Sequence, residues 1–336
     1  MLLISEMKQP KLLFILIGTI VLSFNSHAQT RIIFDTDIEG DADDLGALAM
    51  LHHFIDNNEC ELAAIMCWST EQYAVSAIDA VNRFYAHPDI PIGARKDSVH
   101  FLKSNYNKVI ADSFPHKLKH HLVPDAVTLY RKILAESTDE SLVIVTVGPL
   151  KNIENLLKST GDSISPLSGE ELVEQKVKEF VIMGGRFPEG KWEWNFAGGM
   201  PGVTRNVLAK LDVSITFSGF ELGVVIKSGE AFNRMDPNTP LYVGFMYFSE
   251  YAPWMKRNFK GAIQDNSTFD QTAVLYAVRN GIGCYWDRVS DGVCVADEKG
   301  GNTWEQSVGS KHSYLKLTMD QDEIATIIEK MMLGDL

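Results

Sequence analysis

The chain has 336 residues, of which 45% are hydrophobic and 22% are charged, a balance typical of globular proteins. This composition excludes a collagen-like, coiled-coil or wholly disordered chain, and the length allows one large α/β domain or two small ones. With 44 acidic and 31 basic residues, the formal charge is −13. That charge argues against a general nucleic-acid-binding protein, because phosphate contacts need a basic surface.

Residues 1–28 have the pattern of a secretory signal peptide. Two lysines precede an apolar run at 12–24, and small residues follow it. The run is too short to span a bilayer comfortably, so we expect cleavage and no stable membrane insertion. An uncleaved N-terminal anchor is the alternative. We therefore predict a mature domain at 29–336 that is secreted or periplasmic.

Short apolar runs alternate with segments of helical periodicity along the rest of the chain. Strands are predicted at 32–34, 62–67, 90–92, 142–147, 180–183 and 213–217. Helices are predicted at 45–54, 73–85, 125–135 and 152–157. Such alternation is typical of the α/β class: a single open, mostly parallel, Rossmann-like sheet with helices on both faces. Ligands of such sheets bind beyond the carboxyl ends of the strands.

Two further segments give less specific signals. Residues 100–122 are basic and irregular in pattern, which is typical of a surface loop or of a lid over a site. Cys284 and Cys294 can pair across a hairpin or remain two buried thiols, and the sequence leaves both open. None of the four cysteines has the spacing of a zinc site.

The segment 35–44, Asp-Thr-Asp-Ile-Glu-Gly-Asp-Ala-Asp-Asp, is the most informative stretch of the chain. It holds six carboxylates in ten residues, follows a predicted strand and opens a predicted helix. The helix dipole accounts for one or two of these carboxylates, but six repel one another unless a cation neutralises them. Because all the donors are oxygen atoms, the loop indicates a Ca²⁺ or Mg²⁺ site.

Three other interpretations of this acidic loop fit the sequence less well. An EF-hand matches the opening spacing, but Gly46 stands at its twelfth position, where Glu is required, and the preceding element is a strand. A phosphate-transfer enzyme is disfavoured because no Gly-rich phosphate cradle or arginine cluster accompanies the loop. A merely solvated acidic loop is disfavoured by its position at the carboxyl end of a strand.

The acidic loop resembles the signature of the inosine–uridine-preferring nucleoside hydrolase family: Asp-Thr-Asp, a Gly-containing turn and Asp-Asp before an apolar helix. Its turn is two residues longer than the common form, as in a sub-group with an extended Asp-rich loop. Five further segments resemble family motifs in the same order: 145–152, 183–185, 193–196, 217–223 and 267–275. The resemblance covers about 31–279 and implies the family's fold, a small-molecule nucleoside or riboside substrate, and a homodimer or homotetramer.

Carried over residue by residue, the resemblance implies a Ca²⁺ site in this chain. The implied ligands are Asp37, Asp43, Asp44, Asp270 and the backbone carbonyl of Val147. Asp37 is also expected to be the general base, since a metal lowers the pKa of water and a carboxylate within hydrogen-bond reach takes its proton. Asp43 is expected to bind a ribose hydroxyl as well. Asp41 lies in the longer turn, so its role as a ligand or as a supporting residue is open.

The resemblance also implies a substrate-binding segment. Glu193 and Asn195 are expected to hold the ribose hydroxyls and the 5′ end, and Trp194 lies between them. A tryptophan can stack on a nucleobase, and Trp192 and Trp286 are alternatives to Trp194 for this contact.

Three positions depart from the family pattern. Many members carry a His, a candidate acid for the departing base, where this chain has Phe269. Ser69 or Thr70 stands where an Asn is expected after the second strand, and Phe187 stands at another expected Asn. The metal site is therefore better supported by the sequence than the base pocket, and help for the leaving group must come from elsewhere.

These observations together predict a secreted, Ca²⁺-dependent N-glycosidase that hydrolyses the N-ribosidic bond of nucleosides or related ribosides. Hydrolysis of such a bond passes through an oxocarbenium-like transition state, which carboxylates stabilise. One alternative is a binding protein that captures a nucleoside or sugar on the same metal cup without turnover. Another is a hydrolase of a different glycoside, reached by variation of the pocket on this scaffold.

Overall fold

The computed structural model describes residues 29–97 and 105–335. The predicted signal peptide at 1–28 lies outside the described residues, so cleavage and secretion stay predictions. Within these two ranges, no helix is long and apolar enough to cross a membrane.

The described chain alternates strands and helices over most of its length. The strands are β1 (Thr30–Thr36), β2 (Cys60–Cys67), β3 (Ile92–Ala94), β4 (Leu142–Thr146), β5 (Val177–Met183), β6 (Glu189–Gly190), β7 (Ser214–Ser218), β8 (Lys227–Ser228), β9 (Asn266–Ser267), β10 (Trp286–Val289), β11 (Gly292–Ala296), β12 (Asn302–Gln306) and β13 (His312–Leu317). The helices are α1 (Asp43–Asp56), α2 (Ala74–Phe84), α3 (Tyr106–Ser113), α4 (Ala126–Glu136), α5 (Lys151–Lys158), α6 (Gly169–Lys176), α7 (Trp194–Ala197), α8 (Val203–Leu208), α9 (Phe220–Gly223), α10 (Pro240–Tyr251), α11 (Asp270–Arg279) and α12 (Gln321–Leu333).

One large sheet organises the fold. In the described part of the chain, eight strands form it in the order β10-β13-β7-β5-β4-β1-β2-β3. Its neighbouring strands are parallel except for the edge pair β10–β13. A small antiparallel sheet of β11, β12 and β6 and a β8–β9 pair lie outside it. The predicted open, mostly parallel α/β sheet is confirmed.

Alternate side chains of β1 enter two separate cores. Ile32 and Phe34 pack into a core that includes residues of α1, α2, α11 and α12. Ile33 packs into a second core with residues of α4, α5, α6 and α8. Because successive side chains of a strand point to opposite faces, these two cores show that helices cover both faces of the sheet, as predicted.

The structure corrects two local predictions. β3 spans Ile92–Ala94, whereas 90–92 was predicted, because Pro91 has no N–H for the ladder and pairing with β2 begins at Ile92. The prediction of an irregular segment at 100–122 is wrong at Tyr106–Ser113, where α3 forms. The Asn105 side chain caps this helix by accepting the N–H of Asn107 at 2.8 Å.

The four cysteines are free thiols. Cys294 is buried, as the alternative of two buried thiols predicted, but Cys284 is exposed. Cys284 and Cys294 therefore form neither the hairpin disulfide nor a pair of buried thiols. Cys60 and Cys67 are buried at the two ends of β2.

Candidate functional site

Two helix N-termini converge at the candidate site. Asp43 and Asp44 lie in the first turn of α1, and Asp270 is the first residue of α11. The helices pack closely because position 46 is glycine: a Cβ there would collide with the Gln271 side chain. The backbone N–H of Asp270 lies 3.4 Å from a carboxylate oxygen of Asp43. The positive ends of both helix dipoles therefore face these carboxylates.

Helix α3 and the end of β1 hold the acidic loop in place. The Tyr106 hydroxyl donates to the Asp41 carbonyl at 2.8 Å, and the Asn107 side chain donates to the Ile38 carbonyl at 2.6 Å. At the end of β1, the Thr36 hydroxyl donates to the Asp44 carboxylate. The loop is thus held by polar contacts from the protein itself.

Asp37 lies at the centre of the site, against the turn that follows β4. A Cβ at position 148 would lie 2.8 Å from the Asp37 Cβ, so Gly148 permits this close approach. The indole N–H of Trp194 donates to the Asp37 carboxylate at 3.2 Å. Asp37 and Trp194 were predicted in different roles, and the structure brings them into direct contact.

The side chains of Asp37, Asp43, Asp44 and Asp270 form an acidic cluster. Burial without a counter-charge raises the proton affinity of this acidic cluster. Burial, followed by the neighbouring carboxylates, raises the pKa of Asp37 to about 7. The same causes raise the pKa values of Asp43, Asp44 and Asp270 well above their ordinary range. Burial also raises the pKa of Glu39 to about 8, although the Ser69 hydroxyl donates to this side chain.

The cluster meets the requirements of a hard divalent cation. One carboxylate oxygen each from Asp43, Asp44 and Asp270 lies within 4.8 Å of the others, and all three side chains are buried. None of the ion pairs formed in the described ranges involves these three residues. An oxygen-only donor set with this much uncompensated charge fits Ca²⁺ or Mg²⁺.

All the predicted site residues line one cavity of about 430 Å³, within the rough 300–1,000 Å³ range of small-molecule sites. They are Asp37, Asp41, Asp43, Asp44, Val147, Glu193, Trp194, Asn195, Phe269 and Asp270. The cavity lies at the carboxyl ends of β1, β4, β5 and β7, where a parallel sheet places its ligands. The ligating, catalytic and binding roles of these residues remain predictions.

Glu193 and Asn195 are fixed by hydrogen bonds inside the protein. The Glu193 carboxylate caps α7 by accepting three backbone N–H groups, those of Gly185, Asn195 and Phe196, at 2.9–3.0 Å. The Asn195 amide donates to the carbonyls of Val147 and Met183 at 2.8 and 3.1 Å. Both side chains are thus rigidly positioned at the cavity, and Asn195 orients the carbonyl that was predicted as a metal ligand.

The three candidate stacking tryptophans have different surroundings. Trp194 is half-exposed and lines the cavity. Trp192 is exposed and lines a separate groove beside β6 and β11. Trp286 is completely buried, and its indole N–H donates to the Asn280 carbonyl at 2.6 Å, so it is wrong as a stacking candidate.

Sequence reasoning missed part of the cavity wall. Glu39, Gly40, Met183, Phe220 and Trp254 also line the cavity. Four of them fall in segments whose positions after β1, β5 and β7 could have indicated them. Trp254 follows α10, far from any motif, and no local signal marks it.

The departures from the family pattern also have a structural outcome. Phe269 lines the cavity, but Ser69, Thr70 and Phe187 are not among its lining residues. Ser69 donates to Glu39, and the Phe187 ring stacks on Tyr314 with centroids 4.8 Å apart. Phe187 therefore serves the core, and Phe269 is the departure that changes the cavity wall.

Comparisons with known proteins agree on family and fold. The family model described as inosine-uridine preferring nucleoside hydrolase matches residues 32–327. A purine-preferring ribonucleoside hydrolase from Gardnerella vaginalis has a TM-score of 0.67 and 14% identity over 91% of this chain and 98% of that one. An inosine-uridine preferring nucleoside hydrolase from Bacillus anthracis has a TM-score of 0.65 and 14% identity over 91% of this chain and all (100%) of that one.

A third solved structure is the type III effector protein XopQ, complexed with adenosine diphosphate ribose. Its TM-score is 0.65, with 12% identity over 91% of this chain and 94% of that one. No curated protein matches the sequence. At these identities the solved structures show the fold, whereas the family model covers most of the chain. The chain therefore belongs to the inosine-uridine preferring nucleoside hydrolase family, and it is a hydrolase of N-glycosyl bonds.

Proposed function

We propose that this chain is a Ca²⁺-dependent N-glycosidase that cleaves the N-ribosidic bond of nucleosides or related ribosides. The observation that carries the proposal is the convergence of all the predicted site residues, from four separate chain segments, on one cavity. Four of them, Asp37, Asp43, Asp44 and Asp270, are buried carboxylates. Such a cavity can hold a cation and a sugar side by side.

Asp37 is the residue best placed to take a proton from water. It lies in the cavity beside the other carboxylates of the acidic cluster, and a carboxylate within hydrogen-bond reach of water can take its proton. The Trp194 indole holds its carboxylate in one orientation. Asp37 therefore accepts the water proton as the oxygen attacks the anomeric carbon.

The other residues hold the ion and the sugar. Asp43, Asp44, Asp270 and the Val147 carbonyl would bind Ca²⁺, and Asp37 would share it. When bound, the cation would neutralise part of the carboxylate charge and act as a Lewis acid towards sugar and water oxygens. The negative side chains around the ribose favour the positive charge that develops on the sugar in the transition state.

The test is release of reducing sugar from a nucleoside panel by purified residues 29–336, with and without EDTA and Ca²⁺. Asp37→Asn should lower kcat by about 10²–10⁴-fold, as expected for loss of a general base. The control is Asp139→Asn, which removes an exposed carboxylate that pairs with Lys176, and it should keep activity. Absence of sugar release from the whole panel, although Ca²⁺ protects the protein against heat, would overturn the proposal.

Hydrolysis of a different glycoside on the same scaffold is the second candidate function. Phe269 in place of a family histidine favours it, because the ring cannot protonate a departing base. Sugar release from another glycoside, with none from the nucleoside panel, would select this candidate.

We also propose export to the periplasm or outside the cell, with cleavage after residue 28, and assembly as a homodimer or homotetramer. Both rest on the sequence pattern and the family resemblance. N-terminal sequencing of the exported protein and light scattering of the purified protein test them.

A further inference from the structure

The wall of the cavity is divided between carboxylates and aromatic rings. Trp194, Phe220, Trp254 and Phe269 supply the rings. Phe220 and Phe269 stack with centroids 5.0 Å apart, and Trp254 is 49% exposed. Aromatic faces are electron-rich and attract flat rings and cations.

No ordinary proton donor faces a leaving group from the described wall. Every titratable residue that lines the cavity there is an Asp or a Glu, and none is His, Cys, Lys or Tyr. Glu193 is fully engaged as an acceptor of backbone N–H groups, and Asp41 accepts from the Asn266 side chain. A purine or uracil that leaves as an anion needs a proton, and this wall is poorly equipped to supply it.

We propose that the preferred substrates are ribosides whose leaving group departs without protonation, above all N-ribosyl-pyridinium compounds. This inference rests on the proposed N-glycosidase function. In the reaction the C1′–N bond breaks and its electron pair returns to the ring nitrogen, which leaves as a neutral pyridine. Water forms the new C1′–O bond and gives its proton to Asp37, which passes it to solvent. The balance is riboside cation plus water to ribose, pyridine and one proton.

The charge distribution of the cavity favours this substrate class. Before reaction the positive charge lies on the pyridinium ring, where an aromatic wall attracts it. As the bond breaks, the charge moves onto the sugar, towards Asp37, Asp43 and Asp44. Because the carboxylate side attracts the charge more strongly than the rings do, the transition state gains more than the ground state.

Trp254 is the ring best suited to test the aromatic contact. The guanidinium of Arg186 already lies over Phe220, 3.9 Å from its ring centroid, and Phe269 stacks on the same ring. Trp194 donates its N–H to Asp37, so a change there also disturbs the general base. Trp254 packs edge-on against Phe248 and touches none of the carboxylate ligands by hydrogen bond.

The experiment compares kcat/KM of the Ca²⁺-loaded enzyme for nicotinamide riboside, p-nitrophenyl β-riboside, inosine and uridine. The leaving groups of nicotinamide riboside and p-nitrophenyl β-riboside need no protonation. Their kcat/KM values should therefore exceed those of inosine and uridine by about 10²-fold or more, the usual contribution of a general acid. Inosine or uridine within tenfold of nicotinamide riboside would overturn the inference while the proposed function stands. Turnover of none of the four would overturn both.

Two variants separate the causes. Trp254→Leu should raise KM for nicotinamide riboside about 3- to 30-fold more than for the uncharged p-nitrophenyl riboside, as a cation–π contact requires. Phe269→His should raise inosine turnover relative to nicotinamide riboside by supplying the missing acid. An equal effect of Trp254→Leu on both substrates would remove the cation–π argument.

Glu39 is the rival proton donor, because its carboxyl group lines the cavity and accepts a hydrogen bond from the Ser69 hydroxyl. If the inference holds, Glu39→Gln changes kcat/KM for inosine and for nicotinamide riboside by the same factor. A selective loss of inosine turnover in this variant would make Glu39 the leaving-group acid and overturn the inference.

Discussion

Two regions of this protein bury charged side chains, and they balance the charge in different ways. In the middle of α4, Arg131 is 2% exposed and donates to both carboxylate oxygens of Asp162 at 2.9 and 3.0 Å. The same guanidinium donates to the carbonyls of Ser165 and Leu167. At the starts of α1 and α11, none of the ion pairs between described residues involves Asp43, Asp44 or Asp270.

Glu154 on α5 shows the same internal balance from the acidic side. It is buried, yet it pairs with Lys151 and Lys158, both at 2.8 Å, and accepts from Asn206 at 3.0 Å. Although burial by itself raises its pKa, these hydrogen bonds lower the pKa of Glu154 to about 2. In the acidic cluster, burial raises the pKa values and little opposes it.

The difference separates structural charge from functional charge. The region around α4 and α5 supplies its own counter-ions, so its charged groups stabilise the fold. The acidic cluster leaves its negative charge for a ligand to neutralise, which costs stability until the ligand binds. Perturbed carboxylates of this kind mark functional sites more often than structural ones.

Removing the internal counter-ion should have the largest effect. Arg131→Ala leaves the Ser165 and Leu167 carbonyls without their donor, and we expect a loss of about 3–5 kcal/mol in the free energy of unfolding, because each buried unpaired group costs about 1–3 kcal/mol. Arg205→Ala is the matched control, because Arg205 and Glu298 form an exposed pair that contributes at most about 1 kcal/mol. Urea denaturation measures both. Equal losses in the two variants would contradict the comparison.

Adding the missing counter-ion should have the next largest effect. Ca²⁺ at a hundred times its Kd should stabilise the protein by about 2.7 kcal/mol, because only the folded state gathers the ligands. Calorimetry with Ca²⁺ and after EDTA measures the change. Asp270→Asn should reduce the stabilisation by Ca²⁺, whereas Glu154→Gln should leave this stabilisation unchanged. An unchanged melting temperature in Ca²⁺ would argue against a cation site.

Glu154→Gln should lose about 2 kcal/mol of stability at pH 7, the usual contribution of hydrogen bonds to a charged group. Because the folded pKa is about 2 and the ordinary value is 4.5, the unfolded state binds more protons between them. The stabilisation is therefore present above pH 4.5 and is lost as the pH falls towards 2. Melting curves of both proteins from pH 7 to pH 3 should converge. A constant difference would show that packing, not charge, is responsible.

Relieving the repulsion in the acidic cluster should have the smallest effect, of opposite sign. Without metal, Asp44→Asn should raise the stability by about 1 kcal/mol, or roughly 2–4 °C in Tm for a chain of this size. Thr36 can still donate to the amide oxygen. Thermal melting in EDTA measures the change, with Asp139→Asn as an exposed control. A lower Tm for Asp44→Asn would mean that the cluster is internally compensated.

The sequence by itself determined the elements whose signals are local. Apolar runs flanked by helical periodicity located the central strands and the helices beside them, since each pattern lies within a dozen residues. The acidic loop, the carboxyl-end turns and the order of the motifs were equally local. The family resemblance that rests on these motifs implied ten residues of the cavity wall.

Only the tertiary structure decided which distant residues meet. Asp270 joins Asp43 because α1 and α11 approach closely at Gly46. Trp254 lines the cavity because the chain after α10 passes beside it. Trp286 cannot stack on a ligand because it is buried. Packing between elements far apart in the chain sets these contacts, and no periodicity within one segment encodes them.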